Sequence, residues 1–182
     1  MNKTELVIIG GGMVGLSLAN QLIDRFKTRN IVIIDKESEL GLHSSGRNSG
    51  VIHSGIYYKP GSLRANVCVE GAKRLKEWIA NRNLCIKNCG KVVVPQRPEL
   101  DPQLDNLFER ANKNGACVEI INSNQLSELV PSARSSSGRA LWSPNTSVVN
   151  PKQVVYKLKE ELLNKKVIFK LGNKVDKFNI LE

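Results

Sequence analysis

The 182-residue sequence has no apolar run approaching the roughly 18 residues of a membrane-crossing helix, so no transmembrane helix is expected. Its first residues, "MNKTELVIIGGGMVG", enter a strand-like stretch at once, without an apolar region followed by a small-residue cleavage site, and no signal peptide is read. Histidine is scarce: His43 and His53 are the only two. The four cysteines (Cys68, Cys85, Cys89, Cys117) form no CxxC pair and lie away from both histidines, so no metal site is expected and a cytoplasmic compartment fits. Aromatic residues make up only 5%, which leaves no aromatic stripe for stacking nucleobases. The 27 lysines and arginines are spread along the chain without an arginine-rich helix. The net charge of +10 therefore reads as a solvated basic surface suited to acidic substrates or a peripheral contact at the inner membrane face, with no nucleic-acid partner.

What is present is concentrated at the start. Leu6–Ile9 is a short apolar strand, Met13 to about Lys27 has the apolar spacing of an amphipathic helix, and Ile31–Ile34 is a second strand ending at Asp35. Val14, Leu16, Leu18, Ala19, Leu22, Ile23 and Phe26 are expected to form one broad buried stripe on the helix. Between strand and helix, Gly10, Gly12 and Gly15 give GxGxxG. The first glycine permits the tight turn, the second lets backbone approach a diphosphate, and the third lets the helix pack closely on the strand. The helix start, with Met13 and Val14, offers N–H groups and a positive dipole end to phosphates. Asp35, 20 residues beyond Gly15, is placed to accept hydrogen bonds from ribose hydroxyls, with Lys36 beside it. The strand–turn–helix–strand unit reads as a dinucleotide site.

That unit alone does not distinguish NAD from FAD. The segment after Asp35 favours FAD: a connection of about 25 residues, long for an αβ loop, is rich in serine, asparagine and glycine and suits a chain lying along an extended ligand. Within it, "HSSGRNSGVIHSGIYYKPGSL" resembles the corresponding segment of the L-2-hydroxyglutarate oxidase/dehydrogenase family, among the D-amino-acid-oxidase-like flavoproteins. His43, Gly46, Asn48–His53, Gly55–Tyr58, Pro60, Ser62 and Leu63 match; Ser44, Ser45 and Arg47 stand where the family pattern has glutamine, threonine and histidine. The resemblance implies FAD as cofactor, with Ser44 and Ser45 near the diphosphate and Asn48, Ser49 and Gly50 approaching the flavin. It also implies oxidation of a small 2-hydroxy acid, with L-2-hydroxyglutarate giving 2-oxoglutarate. His53 is the candidate catalytic base, since a neutral imidazole can take the hydroxyl proton. A purely structural role, holding the loop by backbone bonds, is the other reading of it, and His43 reads as structural.

The fold expected is α/β: a Rossmann-like FAD-binding domain interleaved with the start of an α+β substrate domain. Residues 1–89 are read as the first part of the FAD-binding domain, 90–145 as the first part of the substrate domain, and 146–182 as a truncated return into the FAD-binding domain. Ser62 or Gly61 caps a helix through about Arg82, and Asn150 with Pro151 starts another. "KVIFKLGNKVDKFNI" reads as two short strands around Gly172-Asn173. Because the family interleaves its domains over a considerably longer chain, the sequence is expected to be an N-terminal fragment, a truncated gene product, or one piece of a split protein that pairs with a complementary C-terminal chain. Two other readings remain: an amino-acid or amine oxidase of the same class, and a non-catalytic FAD-binding fragment or subunit.

Overall fold

A computed structural model of the chain describes residues 4–28 and 30–179. In chain order the elements begin with β1 (Leu6–Ile9), α1 (Met13–Phe26), β2 (Ile31–Ile34), β3 (Val51–Ile52) and α2 (Leu63–Ala80). There follow β4 (Ile86–Lys87), β5 (Lys91–Val93), a short 3-10 turn (Pro98–Leu100), α3 (Pro102–Lys113), β6 (Glu119–Asn122) and α4 (Ser123–Leu129). The last are β7 (Arg139–Ser143), β8 (Ser147–Val149), α5 (Pro151–Asn164) and β9 (Ile168–Lys170). They fall into two compact units, Met1–Ser49 with Asn150–Glu182, and Gly50–Val149. The units divide at Ser49/Gly50 and Val149/Asn150.

The first unit is a parallel sheet in the order β1-β2-β9. β2, its centre, holds Ile31, Val32 and Ile33 buried, as a continuous apolar run in a parallel strand should be. α1 packs against α5, and Leu16, Ala19, Val154, Val155, Leu158 and Leu162 are buried on these helices. Asn150 caps α5, its side-chain oxygen accepting from the N–H groups of Lys152 and Gln153, with Pro151 in the first turn. The expected stripe on α1 is narrower than its apolar spacing: Val14, Leu18 and Phe26 are exposed. Only the side of α1 turned to the sheet and α5 is covered.

One face of this sheet is covered, and the other is covered at the central strand β2 but exposed on the outer strands. Ile8 lies against α1, since a Cβ built on Gly15 would sit 3.2 Å from Ile8 Cγ2. The in-register partners Val7, Val32 and Ile168 share the opposite face with Ile9 and Ile34. On it Val7 is 48%, Ile9 64% and Ile168 55% exposed.

The second strand expected after Gly172 does not form among the described residues. Instead the turn there is committed to β2: the Gly172 N–H donates to Glu37 O at 2.8 Å and the Asn173 N–H to Asp35 O at 2.9 Å. With its backbone so used, the segment leaves the sheet at once.

The second unit holds two antiparallel sheets, β3-β8-β4 and β5-β7-β6. α3 packs on β6 and β7 over a core of Ile56, Leu104, Ala111, Ala116, Val118 and Leu141. Ser62 caps α2 by accepting from the Ala65 N–H at 3.2 Å. On α2, Leu63 and Val67 are exposed, while Ala65 and Ile79 are buried.

Candidate functional site

In the first unit the glycine turn follows β1. Gly10 takes φ 107°, a conformation natural only to glycine, and its N–H donates to Ile34 O at 2.8 Å, tying the turn to the end of β2. A Cβ on Gly15 would overlap the Gly10 carbonyl oxygen, so the helix can come this close to the turn only without a side chain. Gly12 is the N-cap of α1; it provides no side-chain cap, and the first turn carries no acidic residue. The Ser45 hydroxyl reaches across and accepts from the Met13 N–H at 2.9 Å. A Cβ on Gly12 would lie 2.9 Å from that hydroxyl.

Asp35 is held from several directions. Its Oδ2 accepts from the Gly11 N–H at 2.6 Å and its Oδ1 from the Glu37 N–H at 2.9 Å. Its own N–H donates to Lys170 O at 3.0 Å, so β9 and the turn behind it fix the acid from the far side. A carboxylate oxygen accepts more than one hydrogen bond, so both retain capacity for ribose hydroxyls. These features fit a dinucleotide: a helix start whose own N-cap residue has no side chain, a turn where backbone is bare, and a pinned acid at a strand tip.

The loop after Asp35 holds itself in shape. Asn48 Nδ2 donates to Ser44 O at 2.8 Å and to Ser45 O at 3.2 Å, while the Gly46 and Arg47 N–H groups donate to His43 O. His43 Nε2 lies 2.8 Å from Glu37 Oε1, and Lys36 Nζ lies 3.7 Å from the same oxygen. The hydrogen bond with His43 is the main cause holding the Glu37 carboxyl below its usual pKa. Lys36, Ser44 and Ser49 are exposed. The structure thus brings Gly12, Met13 and Ser45 together, and joins Gly11 to Asp35. Gly50, with φ 68°, opens the second unit.

His53 lies in that second unit, just after β3. Its backbone carbonyl accepts from the Cys68 thiol at 3.5 Å, and its ring meets Tyr57 edge-on, with centroids 6.2 Å apart. Partial burial of the ring, and then the positive charge of Lys91, hold its pKa below the usual histidine value. Lys91 Nζ lies 4.3 Å from the centre of the Tyr57 ring. Asn114 Nδ2 donates to Gly55 O at 2.8 Å and to Tyr58 O at 2.9 Å, clamping the loop that carries Tyr57. Ser54 Oγ lies 3.0 Å from Ser143 Oγ, which lies 3.1 Å from Thr146 Oγ1. Lys91, Asn114 and the hydroxyl group of three were not singled out from the sequence. Asn114 and Gly55 are 59 positions apart, and no local pattern announces such a contact.

A parallel sheet with a glycine turn leading into a helix and a tethered acid at the next strand's tip defines a dinucleotide-binding protein of the Rossmann-like class. The chain belongs to the FAD dependent oxidoreductase family, whose model matches residues 5–180. It is 46% identical over 149 residues to the mitochondrial L-2-hydroxyglutarate dehydrogenase of Caenorhabditis elegans, covering 81% of this chain and 34% of that protein. With the Homo sapiens protein of the same name it shares 40% over 151 residues, 82% of this chain and 32% of the relative. The chain therefore spans about a third of the length of these curated relatives. Among solved structures, the FAD-bound, dithionite-reduced L-alpha-glycerophosphate oxidase from Mycoplasma pneumoniae superimposes with a TM-score of 0.82 at 21% identity, over 94% of this chain and 45% of that one. The L-proline dehydrogenase of P. horikoshii gives 0.81 at 22%, over 98% and 46%. The fold is that of these oxidoreductases, and the cofactor of the family is FAD. No helix among the described residues is long and apolar enough to cross a membrane.

Proposed function

We propose that this chain is the flavin-binding part of an enzyme that oxidises a small 2-hydroxy acid, with L-2-hydroxyglutarate and 2-oxoglutarate as the substrate pair. The observation that carries this reading is the 46% identity, over 81% of the chain, to a relative named for that substrate. Bound FAD supplies the hydride acceptor. The chain's own residues bind and orient. The start of α1, at Gly12, Met13 and Val14, takes the diphosphate, with Gly10 and Gly15 shaping the turn. Asp35 accepts from ribose hydroxyls. Lys36, Ser44, Ser45, Asn48, Ser49 and Gly50 complete the cofactor contacts. His53 takes the proton of the substrate hydroxyl; its lowered pKa keeps the imidazole neutral near pH 7, the form a base requires.

In this reading residues 1–89 are the first part of the FAD-binding domain, 90–145 begin the substrate domain, and 146–182 return into the FAD-binding domain. A complementary C-terminal polypeptide, equivalent to the rest of the relatives' length, covers the exposed face formed by Val7, Ile9 and Ile168. A parallel sheet is stable with both faces covered, and the relatives carry about twice as much chain again as this one spans. The compartment proposed is the cytoplasm with a peripheral contact at the inner membrane face, supported by the +10 charge; the curated relatives are named mitochondrial. Fractionation of cells bearing the tagged chain tests it.

The test of function is anaerobic. L-2-hydroxyglutarate added to the FAD-loaded chain, completed by its complementary polypeptide, should bleach the visible absorbance of the oxidised flavin. Bleaching by amino acids alone would move the reaction to the amino-acid or amine oxidases, and bleaching by neither would leave a non-catalytic FAD-binding subunit.

A further inference from the structure

In the second unit, three side chains with anion-binding or proton-accepting chemistry stand together away from the glycine turn. Lys91 begins β5, where its backbone is fixed by pairing with Ser143. The residue before it, Gly90, takes φ 67°, and a Cβ there would overlap the Trp142 ring, so the start of the strand has one available path. The Lys91 ammonium projects over the face of Tyr57, and Tyr57 in turn meets His53.

What sets this group apart is the neighbour its lysine has. Arg74, Arg139, Lys157 and Lys165 each meet a carboxylate within 2.9 Å. Lys91 meets none among the described residues, and the aromatic face is its neighbour instead. Tyr57 is 38% exposed and its hydroxyl has no protein partner among the described residues. An ammonium, a phenol and an imidazole that share a surface without a carboxylate make a site for an anion that accepts hydrogen bonds. The loop presenting them is already ordered. Ile56 is buried in the core, Asn114 bonds the carbonyls of Gly55 and Tyr58, and Ser54 bonds the Ser143 hydroxyl of the strand paired with β5. Little conformational entropy then remains to be lost on binding.

We propose that Lys91 and Tyr57 form a carboxylate subsite beside His53, which takes one carboxylate of a dicarboxylic 2-hydroxy acid and of its 2-oxo product. The proposal rests on the reading of the chain as part of a 2-hydroxy-acid oxidoreductase. It adds the residues that select an acidic substrate and set it next to the base.

The chain's two histidines give a direct readout. Each contributes one imidazole Cε1–H resonance, assigned with His43→Gln. Titration of the 182-residue chain with 2-oxoglutarate should shift the His53 resonance saturably and leave His43 in place. Lys91→Met should weaken that binding about tenfold, the order expected for one charge-assisted hydrogen bond. Lys91→Arg should restore most of it, and Tyr57→Phe should cost a smaller factor. FAD retention after desalting is measured on the same samples. A chain that retains FAD but binds 2-oxoglutarate equally well with Lys91→Met, or shows no shift at His53, overturns the subsite and leaves the flavoprotein reading intact. Loss of FAD from every sample, with the Lys91-dependent shift preserved, overturns that reading and leaves the carboxylate subsite.

Discussion

Gly12 and Gly15 occupy the same motif but resist substitution for different reasons. At Gly15 a methyl group would run into the Gly10 carbonyl oxygen, which is backbone and cannot step aside. At Gly12 it would meet the end of the Ser45 side chain, which can rotate away and give up its bond to the Met13 N–H. Gly15→Ala should therefore lower the unfolding free energy by about 2 kcal/mol or more, as overpacking does. Gly12→Ala should unfold near wild type yet bind FAD at least tenfold more weakly; urea unfolding and flavin titration separate the two. His53 offers a second test at this scale. Its lowered pKa reflects partial burial and then the Lys91 charge, so Lys91→Met should raise it, as followed by the Cε1–H shift against pH. The sign for stability follows. Between the unfolded and the folded pKa the unfolded chain binds more protons, so stability falls as the pH drops from the ordinary histidine value to the folded one. Lys91→Met should narrow that window.

Among the elements, the short ones joining distant parts of the chain were the least legible in the sequence. β1, α1 and β2 lie where apolar spacing and glycines put them, because a strand–turn–helix unit is encoded locally. The caps Ser62 and Asn150 were equally readable. The pinning of Asp35 by the turn after β9 was not, since it joins residues far apart whose own sequence suggested a hairpin. Asn114 is a similar case: at the end of α3 it looks like a helix terminator, and its side chain in fact closes the loop of Tyr57. Asn114→Ala leaves two carbonyls without that donor and should cost about 1–3 kcal/mol in chemical unfolding. It should also broaden the Tyr57 ring resonances. By contrast Leu162→Ala, on the buried side of α5, should cost about 2–5 kcal/mol through the cavity it opens, without touching that loop.

At the scale of the molecule, the parallel sheet has one covered face and one that buries Val32 at its centre but leaves Val7, Ile9 and Ile168 of the outer strands exposed, although a parallel sheet needs both faces covered. The sequence could show that its strands were apolar on both sides, but not which side this chain covers by itself. If the complementary polypeptide lies on Val7, Ile9 and Ile168, Ile9→Lys should abolish its co-purification while leaving the circular dichroism of the chain unchanged. Co-purification at the wild-type level would place the partner elsewhere. The central claim concerns the C-terminal end of β1 and β2, where the glycine turn, the start of α1, Ser45 and Asp35 are taken to hold FAD. The measurement that tests it most directly is the visible spectrum of the purified chain after incubation with FAD and desalting, beside the Gly12→Ala variant. A flavin band retained by the wild type and lost from the variant is the predicted result. A folded wild-type chain that emerges colourless, or a variant that retains as much flavin as the wild type, would contradict it.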